Sequence, residues 1–157
     1  MPTMGGIFIL MMVFINALLW CDLSYPSIWL FLLCILSFGL LGLWDDLSKI
    51  WYKKGISAAK KSALQAVISL GIAGYMYYSG MVEPIMVFPL IKSLQPYIGL
   101  FFIPWAMFVL IGTSNAVNLT DGLDGLAINS LLSNFAAFSV ICYLAGHYGL
   151  ASYLAIP

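Results

Sequence analysis

Charge is missing from most of this sequence. Residues 1–21, 23–44, 62–82, 93–120 and 125–157 contain no Asp, Glu, Lys or Arg, and none of these stretches is shorter than 21 residues. About 20 apolar residues in a helix cross the hydrocarbon layer of a bilayer. Within that layer every backbone N–H and C=O must be paired inside the protein, which leaves helices and closed barrels as the spanning structures. A barrel would show segments of roughly ten residues alternating apolar and polar side chains, and none occur. Composition agrees: 63% of residues are apolar and 8% charged, against about 45–50% and about 25% in soluble domains. Disorder, a disulfide scaffold and a soluble enzyme with a solvated surface are excluded.

The expected fold is therefore all-α, a polytopic transmembrane helical bundle forming one partial domain over 1–157. Five full spans are expected near 6–20, 27–44, 62–79, 97–111 and 126–145, with an incomplete sixth at 150–157. Asp22, Ser24 and Pro26 make a short turn after the first span. The second span is expected to end at Asp45-Asp46, followed by a polar loop to Lys61, with Gly55 as a helix breaker and Ser57 as an N-cap. Pro84, Pro89 and Pro96 argue against a helix over 80–96. Ile85 to Leu90 suits an extended or hairpin segment at the membrane surface. Neither end looks like a natural boundary. Residues 1–6 lack the basic start of a secretory signal, and Ala-Ser-Tyr-Leu-Ala-Ile-Pro stops inside an apolar segment, so an interior piece of a longer protein is expected.

Net charge is zero, which gives no basis for nucleic-acid binding. The distribution is uneven, however. Lys49, Lys53, Lys54, Lys60 and Lys61 hold five of the six basic charges. Lysine-rich loops stay in the cytoplasm, so 45–61 is expected on that side. Alternation puts 112–125 beside it and 21–26, 80–96 and 146–149 opposite. Cys21, Cys34 and Cys142 are isolated and read as membrane-packed thiols, since no Cys/His ligand spacing is present. His147, the single histidine, reads as a turn residue on the opposite face.

Two oxygen-rich segments could carry chemistry. Asp45-Asp46 close a 22-residue uncharged run. As simple markers of the membrane edge they are poorly chosen, because edge charges are usually Lys or Arg, and Asp at a helix C-terminus opposes the dipole. Asn115, Asn118, Asp121 and Asp124 recur every third residue. On an α-helix each such step turns about 300° and rises about 4.5 Å, and on a 3₁₀ stretch all four would align. Gly122 and Gly125 let backbone approach a ligand. Amide and carboxylate oxygens are hard ligands suited to Mg²⁺. The competing reading is a polar turn, where Asn, Asp, Gly and Thr are common. Lys49 lies four residues after Asp45, the spacing of an ion pair on one helix face. Loop lysines otherwise serve topology and lipid headgroups. Acids and lysines at one membrane face together describe a site for Mg²⁺ and phosphate. No GxSxG, HExxH or Walker pattern occurs.

Four strings together carry a resemblance. They are Pro2-Thr3-Met4-Gly5-Gly6; Gly42-Leu43-Trp44-Asp45-Asp46 with Lys49; Gly55-Ile56-Ser57-Ala58 with Lys61 and Gln65; and Asn115-Ala116-Val117-Asn118-Leu119-Thr120-Asp121-Gly122-Leu123-Asp124-Gly125-Leu126-Ala127. In this order they resemble the phospho-N-acetylmuramoyl-pentapeptide transferase family, within the polyprenyl-phosphate sugar-1-phosphate transferases. The last string is the most specific. The resemblance implies a multi-pass enzyme of the bacterial inner membrane with its active face cytoplasmic, Mg²⁺-dependent and usually a homodimer. It would join UDP-N-acetylmuramoyl-pentapeptide to undecaprenyl phosphate, giving lipid I and UMP for peptidoglycan synthesis. By position, Asp45, Asp46 and Asp124 match the catalytic and metal-binding acids, the first of them proposed as a base in the family. Thr3, Asn115, Asn118 and Asp121 match the nucleoside-site motifs, and Lys49 and Lys61 the motif lysines.

The match covers about half of the family enzyme. Two early spans, a later Mg²⁺-ligating aspartate and a His-rich loop have no counterpart here, so the chain alone is expected to be inactive. Two other readings stand beside this one: a sibling transferase using UDP-N-acetylglucosamine, and a transporter fragment, which would place its charges near the bilayer midplane. Topology supplies the first test. Single cysteines placed across 45–61 should react only with membrane-permeant thiol reagents in intact cells, and those across 80–96 with impermeant ones. The reverse pattern would overturn the orientation.

Overall fold

A computed structural model describes residues 5–88, 94–120, 122 and 125–154. Six α-helices follow in order: α1 (Gly5–Trp20), α2 (Pro26–Tyr52), α3 (Ala58–Tyr78), α4 (Phe102–Thr120), α5 (Leu126–Gly146) and α6 (Tyr148–Leu154), with a 3₁₀ turn at Gly99–Phe101 before α4. No strand occurs among the described residues, so the all-α membrane class holds. The helices Pro26–Tyr52, Gly99–Thr120 (3₁₀ turn plus α4) and Leu126–Gly146 are each long and apolar enough to cross a bilayer. α1 is apolar but only 16 residues long, and α3 is long enough but diluted by Lys60, Lys61, Gln65 and Ser69.

The chain divides into two compact units, residues 1–113 and 114–157. In the first, α1 packs on α2 and α2 on α3. The α1–α2 turn is set by Asp22, whose Oδ1 accepts the Ser24 N–H at 3.0 Å. That backbone hydrogen bond holds the Asp22 carboxyl below its usual range. Pro26 then opens α2 at a position where its missing N–H costs nothing. In the second unit α5 packs on α6, and Gly125, at φ 81°, takes the N-cap position of α5.

Three boundaries differ from the sequence expectation. α2 does not stop at Asp45-Asp46 but runs two further turns to Tyr52. At 27 residues it is about 40 Å long, against about 30 Å of hydrocarbon. Its apolar part, 26–44, is long enough to cross the hydrocarbon layer, and 45–52 continues it as a charged extension. Charge ends a span; it does not end a helix when an i,i+4 partner such as Lys49 is available. Lys53, left-handed at φ 54°, terminates α2. The loop therefore shrinks to 53–57, and α3 starts at Ala58 rather than near 62. Ser57 does sit at the α3 N-cap, yet its hydroxyl makes no capping bond; its carbonyl accepts the Lys61 N–H at 3.0 Å. Likewise α4 continues through the polar stretch to Thr120. Its Thr113 and Thr120 hydroxyls bond back to the carbonyls of Val109 and Ala116, so their polarity is absorbed within the helix.

Between α3 and α4, Ile85 and Tyr97 form an isolated antiparallel bridge, and Met86 and Ile98 donate to the carbonyls of Pro96 and Pro84. This matches the expected extended segment, although Pro89 and Leu90 lie outside the described residues. Tyr77 stacks on Phe102 with centroids 6.5 Å apart, in keeping with an aromatic layer at the membrane interface. All three cysteines are free thiols.

Among the described residues the buried set is small: Ala17, Leu32, Leu41, Asp45, Gln65, Ser69, Ile72 and Ala73. Large apolar side chains such as Phe8, Trp29, Phe108 and Phe135 are exposed, as expected where lipid or neighbouring helices replace water. The α1–α2 contact is close. A Cβ built on Gly39 would lie 2.6 Å from the Leu10 Cδ1. Gly39→Val should therefore cost about 1–3 kcal/mol through overpacking and lower the midpoint of thermal unfolding in detergent. Adding Leu10→Ala should recover much of the loss. Equal losses with and without Leu10 would show that Gly39 matters for another reason.

Candidate functional site

The extension of α2 and the start of α3 bring four charged side chains together. Asp45 lies one residue past the apolar part of α2, on the flank turned toward the α2–α3 loop, and only 11% of its side chain is exposed. Its Oδ1 accepts the backbone N–H of Ile56 at 2.9 Å. Its Oδ2 pairs with the Lys49 Nζ at 2.8 Å, one helical turn on, and with the Lys61 Nζ at 4.0 Å, from α3. Lys49 also reaches the Asp46 Oδ1 at 3.0 Å. Asp46 itself is 57% exposed on its side chain.

Electrostatics follow from this geometry. Partial burial is the largest single influence on the Asp45 carboxyl and pushes its pKa up. The Lys49 hydrogen bond, the Ile56 N–H and the charges of Lys49 and Lys61 outweigh it together, and the carboxyl ends below the usual carboxylate range. Asp45, followed by Asp46, in turn raises the Lys49 ammonium. The cluster is a network of fixed charges at the membrane edge.

Gly55 makes the approach of the loop possible. A Cβ on Gly55 would sit 2.8 Å from the Asp45 Oδ1 and 3.2 Å from the Lys49 Cε. Below the lysines, Gln65 and Ser69 continue the line one and two turns along α3 from Lys61. Both are fully buried, and the Ser69 Oγ has no hydrogen-bond partner among the described residues. Sequence reasoning named Gly55 as a helix breaker and Gln65 as part of a motif, but it missed the Ile56 amide and the Ser69 position. The spacing 61, 65, 69 within an apolar span was the available signal for Ser69. A backbone contact eleven residues away leaves none.

Of the other predicted positions, Asn115 and Asn118 lie on α4 within the second unit, one α-helical step of three apart. Asn115 is half-buried and Asn118 exposed. Thr3, Asp121 and Asp124 fall outside the described residues. No group of three or more His, Cys, Asp or Glu side chains able to hold a metal occurs among the described residues. Carboxylate oxygen is the right donor for Mg²⁺, and the exposed Asp46 presents it. Asp45 has both oxygens engaged by N–H donors. An apolar cleft of about 700 Å³ lies between the first half of α2 and the second half of α3, lined by Trp29, Leu33, Val67, Ile72 and Tyr75 among others. It is at the far end of these helices from Asp45, and no ionisable acid or base other than Tyr75 lines it.

Comparison with known proteins agrees with the resemblance read from the motifs. Residues 28–156 match the model of the family described as glycosyl transferase family 4. A phospho-N-acetylmuramoyl-pentapeptide-transferase of Citrifermentans bemidjiense (strain ATCC BAA-1014 / DSM 16622 / JCM 12645 / Bem) is 43% identical over 158 residues, 99% of this chain and 44% of the relative. One of Aquifex aeolicus (strain VF5) is 44% identical over 156 residues, again 99% of this chain and 44% of the relative. The chain thus spans less than half the length of these relatives. With residues 28–156 inside the family model, most of its length, the chain belongs to glycosyl transferase family 4.

Proposed function

We propose that this chain carries part of the machinery that transfers phospho-N-acetylmuramoyl-pentapeptide from its UDP derivative to undecaprenyl phosphate, giving lipid I and UMP. The work would be done at the cytoplasmic face of the bacterial plasma membrane, by an enzyme of full family length that is a homodimer. The observation that carries this reading is the gathering of Asp45, Asp46, Lys49 and Lys61 at one end of α2 and α3, in a chain 43–44% identical to transferases of that name. A transporter site would bury its charges at mid-membrane between broken helices, whereas here they stand where an apolar segment emerges.

The reaction is attack by a lipid phosphate oxygen on the sugar-bearing phosphate, with UMP leaving. Negative charge accumulates on closely spaced phosphates, so catalysis depends on fixed cations. Lys49 and Lys61 supply two ammonium groups held by Asp45. Asp46 is the described residue best placed to hold Mg²⁺, with Asp124 as a further motif acid, whereas Asp45 has both oxygens engaged by N–H donors and holds the lysines instead. When bound, Mg²⁺ would withdraw charge from the diphosphate and stabilise the leaving UMP. Asn115, Asn118, Asp121 and Thr3 are proposed to bind the nucleoside. A phosphate monoester's second pKa is about 6, so the acceptor is already mostly ionised at neutral pH. A strong base at Asp45 is not needed.

Two outcomes test this. A full-length family member carrying these residues should release UMP from UDP-N-acetylmuramoyl-pentapeptide in the presence of undecaprenyl phosphate. Chelation of Mg²⁺ should abolish that release, and UDP-N-acetylglucosamine should not compete, while the purified 157-residue chain should be inactive. Competition by UDP-N-acetylglucosamine would favour the sibling activity instead. In the same full-length enzyme, Asp45→Asn should lower turnover on the order of 100-fold at every pH between 6 and 9. A loss confined to low pH and recovered at high pH would restore the base role.

A further inference from the structure

We propose that Gly55 and the Ile56 amide are positioning elements of the transfer reaction, acting through Asp45. This rests on the transferase reading above and goes beyond it by dividing the labour within the acid pair. Asp45 organises the cations, and Asp46 faces the ligand.

Four observations carry the inference. The two Asp45 oxygens point to different structures, Oδ1 to the Ile56 N–H of the loop and Oδ2 to Lys49 and Lys61. Asp45 is buried while its neighbour Asp46 is exposed. The space beside Oδ1 exists only because residue 55 has no side chain, since a Cβ there would lie 2.8 Å from that oxygen. Finally, Gly55 does not have a positive φ, so its backbone does not require glycine. What requires it is the room for the carboxylate.

The consequence is geometric. A carboxylate that donates no proton and offers no open oxygen can still serve the reaction by fixing where two ammonium groups stand. Pinning Oδ1 to a backbone N–H sets the rotation of the carboxylate. That rotation sets the direction in which Oδ2 draws Lys49 from α2 and Lys61 from α3. A methyl group at position 55 would press on Oδ1, turn the carboxylate and separate the two cations, while α2 and α3 themselves remain.

A double-mutant cycle tests this. In a full-length family member with Asp, Gly and Ile at the positions matching 45, 55 and 56, Gly55→Ala should lower kcat on the order of 10- to 100-fold. The KM for the nucleotide sugar should change by less than about threefold, as expected for an interaction realised in the transition state. In an Asp45→Ala background, where the obstructing oxygen is gone, Gly55→Ala should change kcat by less than about twofold. Independent, multiplying losses would overturn the proposal, as would a raised KM with kcat intact.

Thermal unfolding of the 157-residue chain in detergent gives a second reading that does not need activity. Gly55→Ala should lower the unfolding midpoint in the Asp45 background and not in Asp45→Ala. If that coupling appears while kcat is untouched, the contact is structural only and the positioning role is wrong. If the coupling is missing, the contact itself is wrong. If no nucleotide sugar yields UMP with the unaltered full-length enzyme, the transferase reading falls, and the unfolding cycle still decides whether Gly55 holds Asp45.

Discussion

A carboxylate at the rim of a hydrocarbon layer must be surrounded by donors, because removing it from water without compensation costs several kcal/mol or shifts it to its neutral form. Asp45 is in that position, and its compensation shapes the surrounding structure. One oxygen takes a backbone N–H from the loop, and the other takes two lysines from two helices. To supply those donors α2 must continue past the membrane edge far enough to present Lys49. The chain must then turn within five residues, and α3 must begin early enough to present Lys61. Replacing one exposed ion pair would alter little. Here the carboxylate is buried while the Lys49 side chain is 53% exposed, and the carboxylate ties three segments together, so its removal would take a partner from both ammonium groups.

The same logic extends into α3. Lys61, Gln65 and Ser69 follow at four-residue intervals, so they share one stripe of the helix. Ile72 and Ala73 complete its buried side. Polarity on this stripe declines from an ammonium to an amide to a hydroxyl as it passes from the charged end into the apolar part of α3. The buried Ser69 hydroxyl has no partner among the described residues, and a hydroxyl left unsatisfied costs about 1–3 kcal/mol relative to a satisfied one. The exposed faces of α4 and α5 show the opposite pattern, with no buried residue in their apolar windows. The first unit contains charged contacts that specify its packing, and the described part of the second has mainly apolar surface and self-satisfied hydroxyls.

Class and approximate spans were legible in the sequence because charge is so costly in lipid that its absence over 20 residues has one main explanation. Helix ends were less legible. Charge marks where the membrane stops, and the helices go on for as long as local pairing supports them. Asp45-Lys49 extends α2, and in α4 the Thr120 hydroxyl is satisfied within the helix by the Ala116 carbonyl. The two faces of the acid pair were not legible at all. Asp45 and Asp46 are adjacent and chemically identical, yet about 100° apart around the helix, so one turns to the loop and the other to solvent. The lysine partner at i+4 could be read from spacing, but the Ile56 N–H could not, because a backbone donor carries no side-chain identity.

That separation bears on how a reaction between a water-borne and a lipid-borne phosphate could be run. In the proposed transfer the reactants would meet at the interface, and groups standing on helix ends would hold charges within the small tolerances catalysis requires better than a loop site. Here the cations stand on the last turns of α2 and the first turn of α3, and the carboxylate that holds them is itself held by a five-residue connection. Burying Asp45 gives up its use as an open ligand and gains a fixed direction for two ammonium groups. Exposing Asp46 gives up that rigidity and gains access to what arrives from water. An adjacent pair of acids can serve both needs because one residue's step around a helix is enough to put them in different surroundings.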